Sequence, residues 1–210
     1  MLKKGKVEMQ GTHRPFGLTL ILAIGALAVG SAWALPGGDD GVVAAGKVAK
    51  ASRGFPSVVM LVPAANVSAP APAEPAVLNQ VNKAFEPGVL LVRVGQTVTF
   101  RNGESLLHNV HLFDLANDET VLNVAQPIEG WTTDYVFEQA GAYAVLCDVH
   151  PEMEAYIVVV DTPYATVAES DGSFEIMVPP GDYTLEVWSV NDKKRRQEKV
   201  HVPAEGLEFR

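Results

Sequence analysis

Cysteine is almost missing: the 210 residues hold one, Cys147. One thiol excludes an internal disulfide framework and leaves three fates, namely an inert buried side chain, a bond to another chain, or a bound metal. Histidine is scarce as well, with five in all. Aromatic residues make up 8% of the chain. Basic residues number 16 against 25 acidic ones, a net charge of −9. That balance makes nucleic acid and anionic membrane surfaces poor partners and a basic protein surface a plausible one; solubility alone also accounts for it. Beyond residue 34 there is no long helical periodicity.

What the chain has first is a targeting segment. Lys3, Lys4, Lys6 and Arg14 make a basic start, and "FGLTLILAIGALAVGSAW" follows without a charge. Ala32-Trp33-Ala34 is a small-x-small cleavage pattern, so residues 1–34 read as a signal peptide. An uncleaved membrane anchor is the alternative, because the stretch approaches the ~20 residues that span a bilayer. Either way the remainder is expected to be periplasmic or secreted. Cleavage removes four basic residues and one acidic residue, which leaves 12 against 24 and a charge near −12.

The rest is a succession of short β-branched runs cut by Gly, Pro, Asn and Asp, which points to an all-β sandwich or barrel. The runs include "GVVAAGKVA", "SVVMLV", "VLLVRV", "TVTFRN", "LLHNVHLF", "TTDYVFEQ", "AYAVLC" and "AYIVVVD". "PAANVSAPAPAEPA" (residues 63–76) reads as a Pro/Ala-rich linker. From Ala165 onward, Ser170-Asp171-Gly172 signals a hairpin turn. Phe174, Ile176 and Val178 alternate on one face, as do Tyr183, Leu185 and Val187. The charge run "DKKRRQEK" fits a solvated hairpin tip. This C-terminal rhythm resembles the transthyretin-like, carboxypeptidase regulatory-like β-sandwich, and "GVVAAGKVAK" is similar to the opening strand of such domains. The resemblance implies one sandwich made of residues 41–62 with 163–210 and the middle of the chain inserted into it. Two domains in tandem are the alternative.

The chemistry concentrates in "LCDVHPEM". Tyr143, Val145 and Cys147 share a strand face, and His150 and Met153 lie in the turn that follows, stiffened by Pro151. A fourth donor has to come from elsewhere. His13 is in the signal segment and His201 is in the C-terminal strand, which leaves His108 and His111 in "LLHNVHLF". Their odd spacing puts them on opposite faces of a strand, so only one can point at the site. Two histidines, a cysteine and a weak methionine describe a blue-copper electron-transfer centre. Zinc is the competitor, but structural zinc sites rarely use methionine.

Residues 77–161 resemble a cupredoxin on these motifs, with "AFEPGVLLVRVGQTVTFRN" similar to its early strands, "HNVHLF" to its first-histidine strand and "CDVHPEM" to its ligand loop. The short loop, with proline after the histidine, is most similar to amicyanin. The resemblance implies a Greek-key cupredoxin β-sandwich beside a second, smaller one. It also implies one type 1 copper per chain held by His108, Cys147, His150 and Met153, with Asn109 bracing the site and His111 not a ligand. Leu107 stands where proline often precedes the first histidine, and Ala155 where glycine is common.

The function expected is that of a one-electron carrier and not of an enzyme. Its partner is a redox protein, such as a basic surface on a cytochrome or dehydrogenase. Storage or delivery of copper, or a scaffold with a vestigial site, are the alternatives. Met/His-rich repeats that would favour storage are absent. A multicopper oxidase or nitrite reductase needs more histidines than the two left over in the exported part.

Overall fold

The computed structural model describes residues 41–65, 67, 69–192, 195–203 and 207–208. The expected signal segment, residues 1–34, lies outside them, as do Lys193 and Lys194 of the charge run. Among the described residues there are strands and turns but no helix, as the short β-branched runs led us to expect. In chain order the strands are β1 (Val42–Lys47), β2 (Val58–Pro63), β3 (Ala76–Val81), β4 (Ala84–Glu86), β5 (Val89–Arg93), β6 (Thr97–Asn102), β7 (His108–Asp114) and β8 (Glu119–Gln126). They continue as β9 (Thr132–Val136), β10 (Gly141–Leu146), β11 (Glu154–Val160), β12 (Ala165–Val167), β13 (Ser173–Val178), β14 (Gly181–Trp188), β15 (Arg196–Val202) and β16 (Leu207–Glu208).

These strands form four sheets stacked through three apolar layers. Sheets β4-β3-β6-β9 and β5-β11-β10-β7-β8 face each other. Between them lies a core of Leu78, Phe100, Val110, Leu112, Phe137 and Ile157 with their neighbours. Sheets β13-β1-β16 and β12-β2-β14-β15 enclose a second core around Val59, Leu61, Ile176, Leu185 and Val187. A third layer joins the two sandwiches: Val58, Met60 and Trp188 from one meet Val89, Ala144, Tyr156, Val158 and Val160 from the other.

That stacking explains two continuous apolar runs among the described residues, β2 and β11. A strand with one wet face alternates, whereas a strand buried on both faces reads as a continuous hydrophobic run. In β11, Ala155, Ile157 and Val159 enter the first core, that of Leu78 and Phe100, while Tyr156, Val158 and Val160 enter the joining layer. In β2, Val59 and Leu61 face one way and Val58 and Met60 the other.

The strands on either side of residues 76–160 pair with one another. Ala165 of β12 lies opposite Met60 of β2, and Leu61 N–H donates to the Tyr164 carbonyl at 2.8 Å. Residues 63–76 include the end of β2 and the start of β3. Between them, Pro70 is held by Arg93, whose Nη1 donates to the Pro70 carbonyl at 3.1 Å.

Candidate metal centre

β10 ends at Leu146 and β11 begins at Glu154, with these two residues directly opposite each other. The seven-residue turn between them is closed from inside. Cys147 N–H donates to the Met153 carbonyl at 3.3 Å, and Met153 N–H donates to the His150 carbonyl at 2.9 Å. Cys147 and Met153 are 3% and 1% exposed and belong to the first core, that of Leu78 and Phe100. The thiol therefore follows the inward face of Tyr143 and Val145.

His108 opens β7 and is fully buried. Val110 and Leu112 continue its face into the same core, and His111 lies on the opposite face, as the odd spacing requires. Three donor atoms come together: Cys147 Sγ is 3.9 Å from His108 Nδ1 and 3.9 Å from His150 Nδ1. The two Nδ1 atoms are 3.1 Å apart. Among the described residues this is a cluster able to hold a metal ion.

The donor set can be tested for fit. His108 Nε2 lies 2.9 Å from Glu104 Oε1. A carboxylate only accepts, so the ring proton belongs on Nε2 and the Nδ1 lone pair faces inward. Two inward nitrogens at 3.1 Å call for something electropositive between them. The three donor atoms are close enough together that His108, His150 and Cys147 would hold a single ion between them, and a His₂Cys set beside a buried methionine suits copper.

A shell of hydrogen bonds fixes these donors. The Glu104 Oε1 atom also accepts from Lys83 N–H at 2.9 Å. That amide, followed by the His108 ring, holds the Glu104 carboxyl below its ordinary range. Lys83 and Asn82 form the β3–β4 turn, both at φ 53. Asn102, fully buried, donates to the Leu106 and Gln126 carbonyls at 2.7 and 2.9 Å and accepts from Glu104 N–H at 3.0 Å. It therefore clamps the loop that delivers His108.

Behind the cysteine, Asn109 Oδ1 accepts from Asp148 N–H at 2.6 Å. Asn109 Nδ2 donates to Asn123 Oδ1 at 2.9 Å and to Asp148 Oδ2 at 3.1 Å. His111 bridges Asp148 Oδ1 (2.9 Å) and Thr120 Oγ1 (2.7 Å). The His111 ring, with the Asn123 amide, depresses the Asp148 carboxyl.

Of the residues singled out in the sequence, His108, Cys147 and His150 converge, Met153 is buried beside the cysteine, and Asn109 braces the residue after it. Glu104, Asn102 and Asp148 went unnoticed. Glu104 had one visible cue, its place four residues before His108 in a short polar loop.

Residues 76–160 match the copper binding proteins of the plastocyanin/azurin family. The match takes in less than half of the chain, and within it fall all three converging donors and Met153. Amicyanin from Paracoccus denitrificans is 35% identical over 75 residues, which is 36% of this chain and 57% of that protein. The chain thus spans little more than half the length of that curated relative. Among solved structures, amicyanin from Paracoccus versutus is 24% identical with a TM-score of 0.38, covering 49% of this chain and 97% of that one. A copper-containing nitrite reductase from Thermus scotoductus is 25% identical with a TM-score of 0.37, covering 42% of this chain and 23% of that one.

Proposed function

We propose that the protein is an exported one-electron carrier built on a single type 1 copper. His108 Nδ1, His150 Nδ1 and Cys147 Sγ are its strong donors and Met153 its weak fourth. The observation that carries this reading is the donor triangle, with nitrogens 3.1 Å apart and the sulfur 3.9 Å from each. Bound copper supplies one thing, a change of oxidation state by one electron.

The protein's own residues do the rest. Glu104 keeps the His108 proton on Nε2. Asn109 and Asp148 fix the backbone after Cys147. The buried Cys147 and Met153 keep water from the sulfur side. A donor set held by a packed core changes little when the electron moves, and that keeps transfer fast. His150 is less buried than His108, and Leu106, Leu107 and Val149 on the adjoining loops are 39%, 49% and 45% exposed. This end is where a redox protein approaches, and the charge near −12 left after residues 1–34 are removed, 12 basic against 24 acidic residues, favours a basic partner.

In this reading residues 1–34 are a cleaved signal, residues 77–161 carry the copper, and residues 41–62 with 163–210 form a companion sandwich interrupted by it. Copper storage or delivery is the second reading. Purified protein loaded with one equivalent of Cu(II) tests both. We expect an intense thiolate-to-copper band and electron self-exchange fast enough to broaden NMR lines in half-reduced samples. Copper binding without that exchange would favour storage, and absence of the band would refute the site.

A further inference from the structure

Arg53 lies in the loop between β1 and β2, 101 residues from Glu154 in sequence. Ser52 and Phe55 bond each other's backbones at 3.0 and 2.8 Å. This closes a two-residue turn with Arg53 at φ 52 and Gly54 at φ 84. Such a turn favours Asn, Asp or Gly at its first central position. An arginine there holds its Cβ in the crowded left-handed region, a strain that persists only where the surroundings fix it.

What fixes it belongs to the other sandwich. Arg53 Nη1 is 3.3 Å from Glu154 Oε2, and Nη2 is 3.5 Å from Oε1 and 3.1 Å from the Tyr156 hydroxyl. The guanidinium carbon sits 5.7 Å from the Phe55 ring centre, and Phe55 packs edge-on to Tyr156 at 5.1 Å. Tyr156 also donates to Glu154. The Arg53 side chain is 57% exposed and that of Glu154 28%. Pairs this exposed add little to stability, so the grip is better explained by what it holds.

Glu154 is the first residue of β11 and follows Met153 directly. It lies opposite Leu146, the residue before Cys147. Met153 is tied at both backbone ends to the donor turn, to His150 and to Cys147. We infer that Arg53 is a positioning residue: from the companion sandwich it pins the start of β11 and so sets where the Met153 thioether meets the copper. The companion sandwich is thereby part of the tuning of the site. This rests on the reading of Met153 as the fourth donor.

The test compares Arg53→Gly, Met153→Leu and the double variant in the full chain, with copper potentials from voltammetry. Glycine suits the turn, so Arg53→Gly is expected to fold with an unchanged or higher melting point. An additional donor stabilises Cu(II), which takes more ligands than Cu(I), so loosening the thioether raises the potential. Removing a nearby positive charge lowers it, because the oxidised site is the more positive. Positioning therefore predicts a rise with Arg53→Gly, smaller than with Met153→Leu, and no further rise when the two are combined. Glu154→Gln is expected to shift in the same direction.

In the copper-free protein, the Met153 methyl resonance of a ¹³C-methyl-methionine sample is expected to move with Arg53→Gly. A fall in potential, a shift of equal size in the Met153→Leu background, or a methyl resonance that stays in place overturns the inference. If Met153→Leu itself leaves the potential unchanged, the fourth-donor reading fails. The copper-free methyl resonance then decides on its own whether Arg53 positions residue 153.

Discussion

The two sandwiches solve the same packing problem with different interiors. The core between β13-β1-β16 and β12-β2-β14-β15 is formed by apolar side chains and the rings of Tyr164 and Tyr183. The metal-side sandwich buries Gln80, Arg93, Gln96, Asn102, His108, Asn109, Asp114 and Gln126, while the only other buried polar residues described are Ser57 and Thr162. Burying a polar side chain is unfavourable unless it is hydrogen-bonded. Here the bonds form chains. Gln80 donates to Gln126, Gln126 donates to the Phe100 carbonyl, and Asn102 ties the Gln126 carbonyl to the loop before His108. The difference teaches that Gln80, Asn102, His108, Asn109 and Gln126 gather at the donor end of the strands, whereas Arg93, Gln96 and Asp114 lie at the opposite end, and that the companion sandwich follows simpler rules.

Four substitutions or pairs of substitutions sharpen that contrast. Cys147→Ser has the largest expected effect, complete loss of the intense visible band in Cu(II)-loaded protein, because the thiolate supplies the charge transfer. A surviving band would remove Cys147 from the donor set. Next come the two histidines of β7. His108→Ala is expected to bleach the site, whereas His111→Ala, across the strand and bonded to Asp148 and Thr120, leaves the band in place. Bleaching by the second change alone would reverse their roles.

The third comparison sets the two interiors side by side. Leu185→Ala, at a site 1% exposed in the companion core, is expected to lower stability by about 2–5 kcal/mol. The copper spectrum is expected to stay unchanged. Asn102→Ala strands the Leu106 and Gln126 carbonyls and the Glu104 amide, at roughly 1–3 kcal/mol for an unsatisfied buried group. It is expected to alter the spectrum as well, by freeing the loop that holds His108. Chemical denaturation read beside the absorption spectrum separates the two. A spectral change with Leu185→Ala, or none with Asn102→Ala, would erase the contrast.

The smallest effect is in the companion hairpin. Asp171 accepts from the Ser173 hydroxyl and amide at 2.6 and 2.9 Å and faces Lys47 at 3.3 Å. The two Ser173 bonds, then Lys47, lower its pKa from 3.8 to about 2. A depressed carboxyl stabilises the fold above its unfolded pKa and loses that contribution as pH falls through the folded one. Asp171→Asn is therefore expected to flatten stability against pH between about 4 and 2, read by acid titration of the fold, with no effect on the copper spectrum.

Cys147, His150 and Met153 were easy to single out because they fall within seven residues, and strand parity let only one of His108 and His111 face them; the choice of His108 came from the family resemblance. The β-branched runs made the all-β class readable for a similar reason: alternation is local. Other strands were hidden by what their residues do in the fold. β3 carries Gln80, which is fully buried, so its polarity reads as a loop. β8 is an edge strand with several exposed positions and no clean alternation. Glu104 and Asp148 were adjacent to visible motifs, but their partners Lys83 and Asn123 come from other turns and strands. Arg53 was the least legible, because its contacts lie across the joining layer and only its backbone, at φ 52, marks it.

The most direct test of the central claim is X-ray absorption at the copper edge of protein loaded with one equivalent. The account predicts two nitrogen scatterers at about 2.0 Å and one sulfur at roughly 2.3 Å or slightly less, the ligation that the His108, His150 and Cys147 triangle affords. A first shell of nitrogen and oxygen without that sulfur would contradict it.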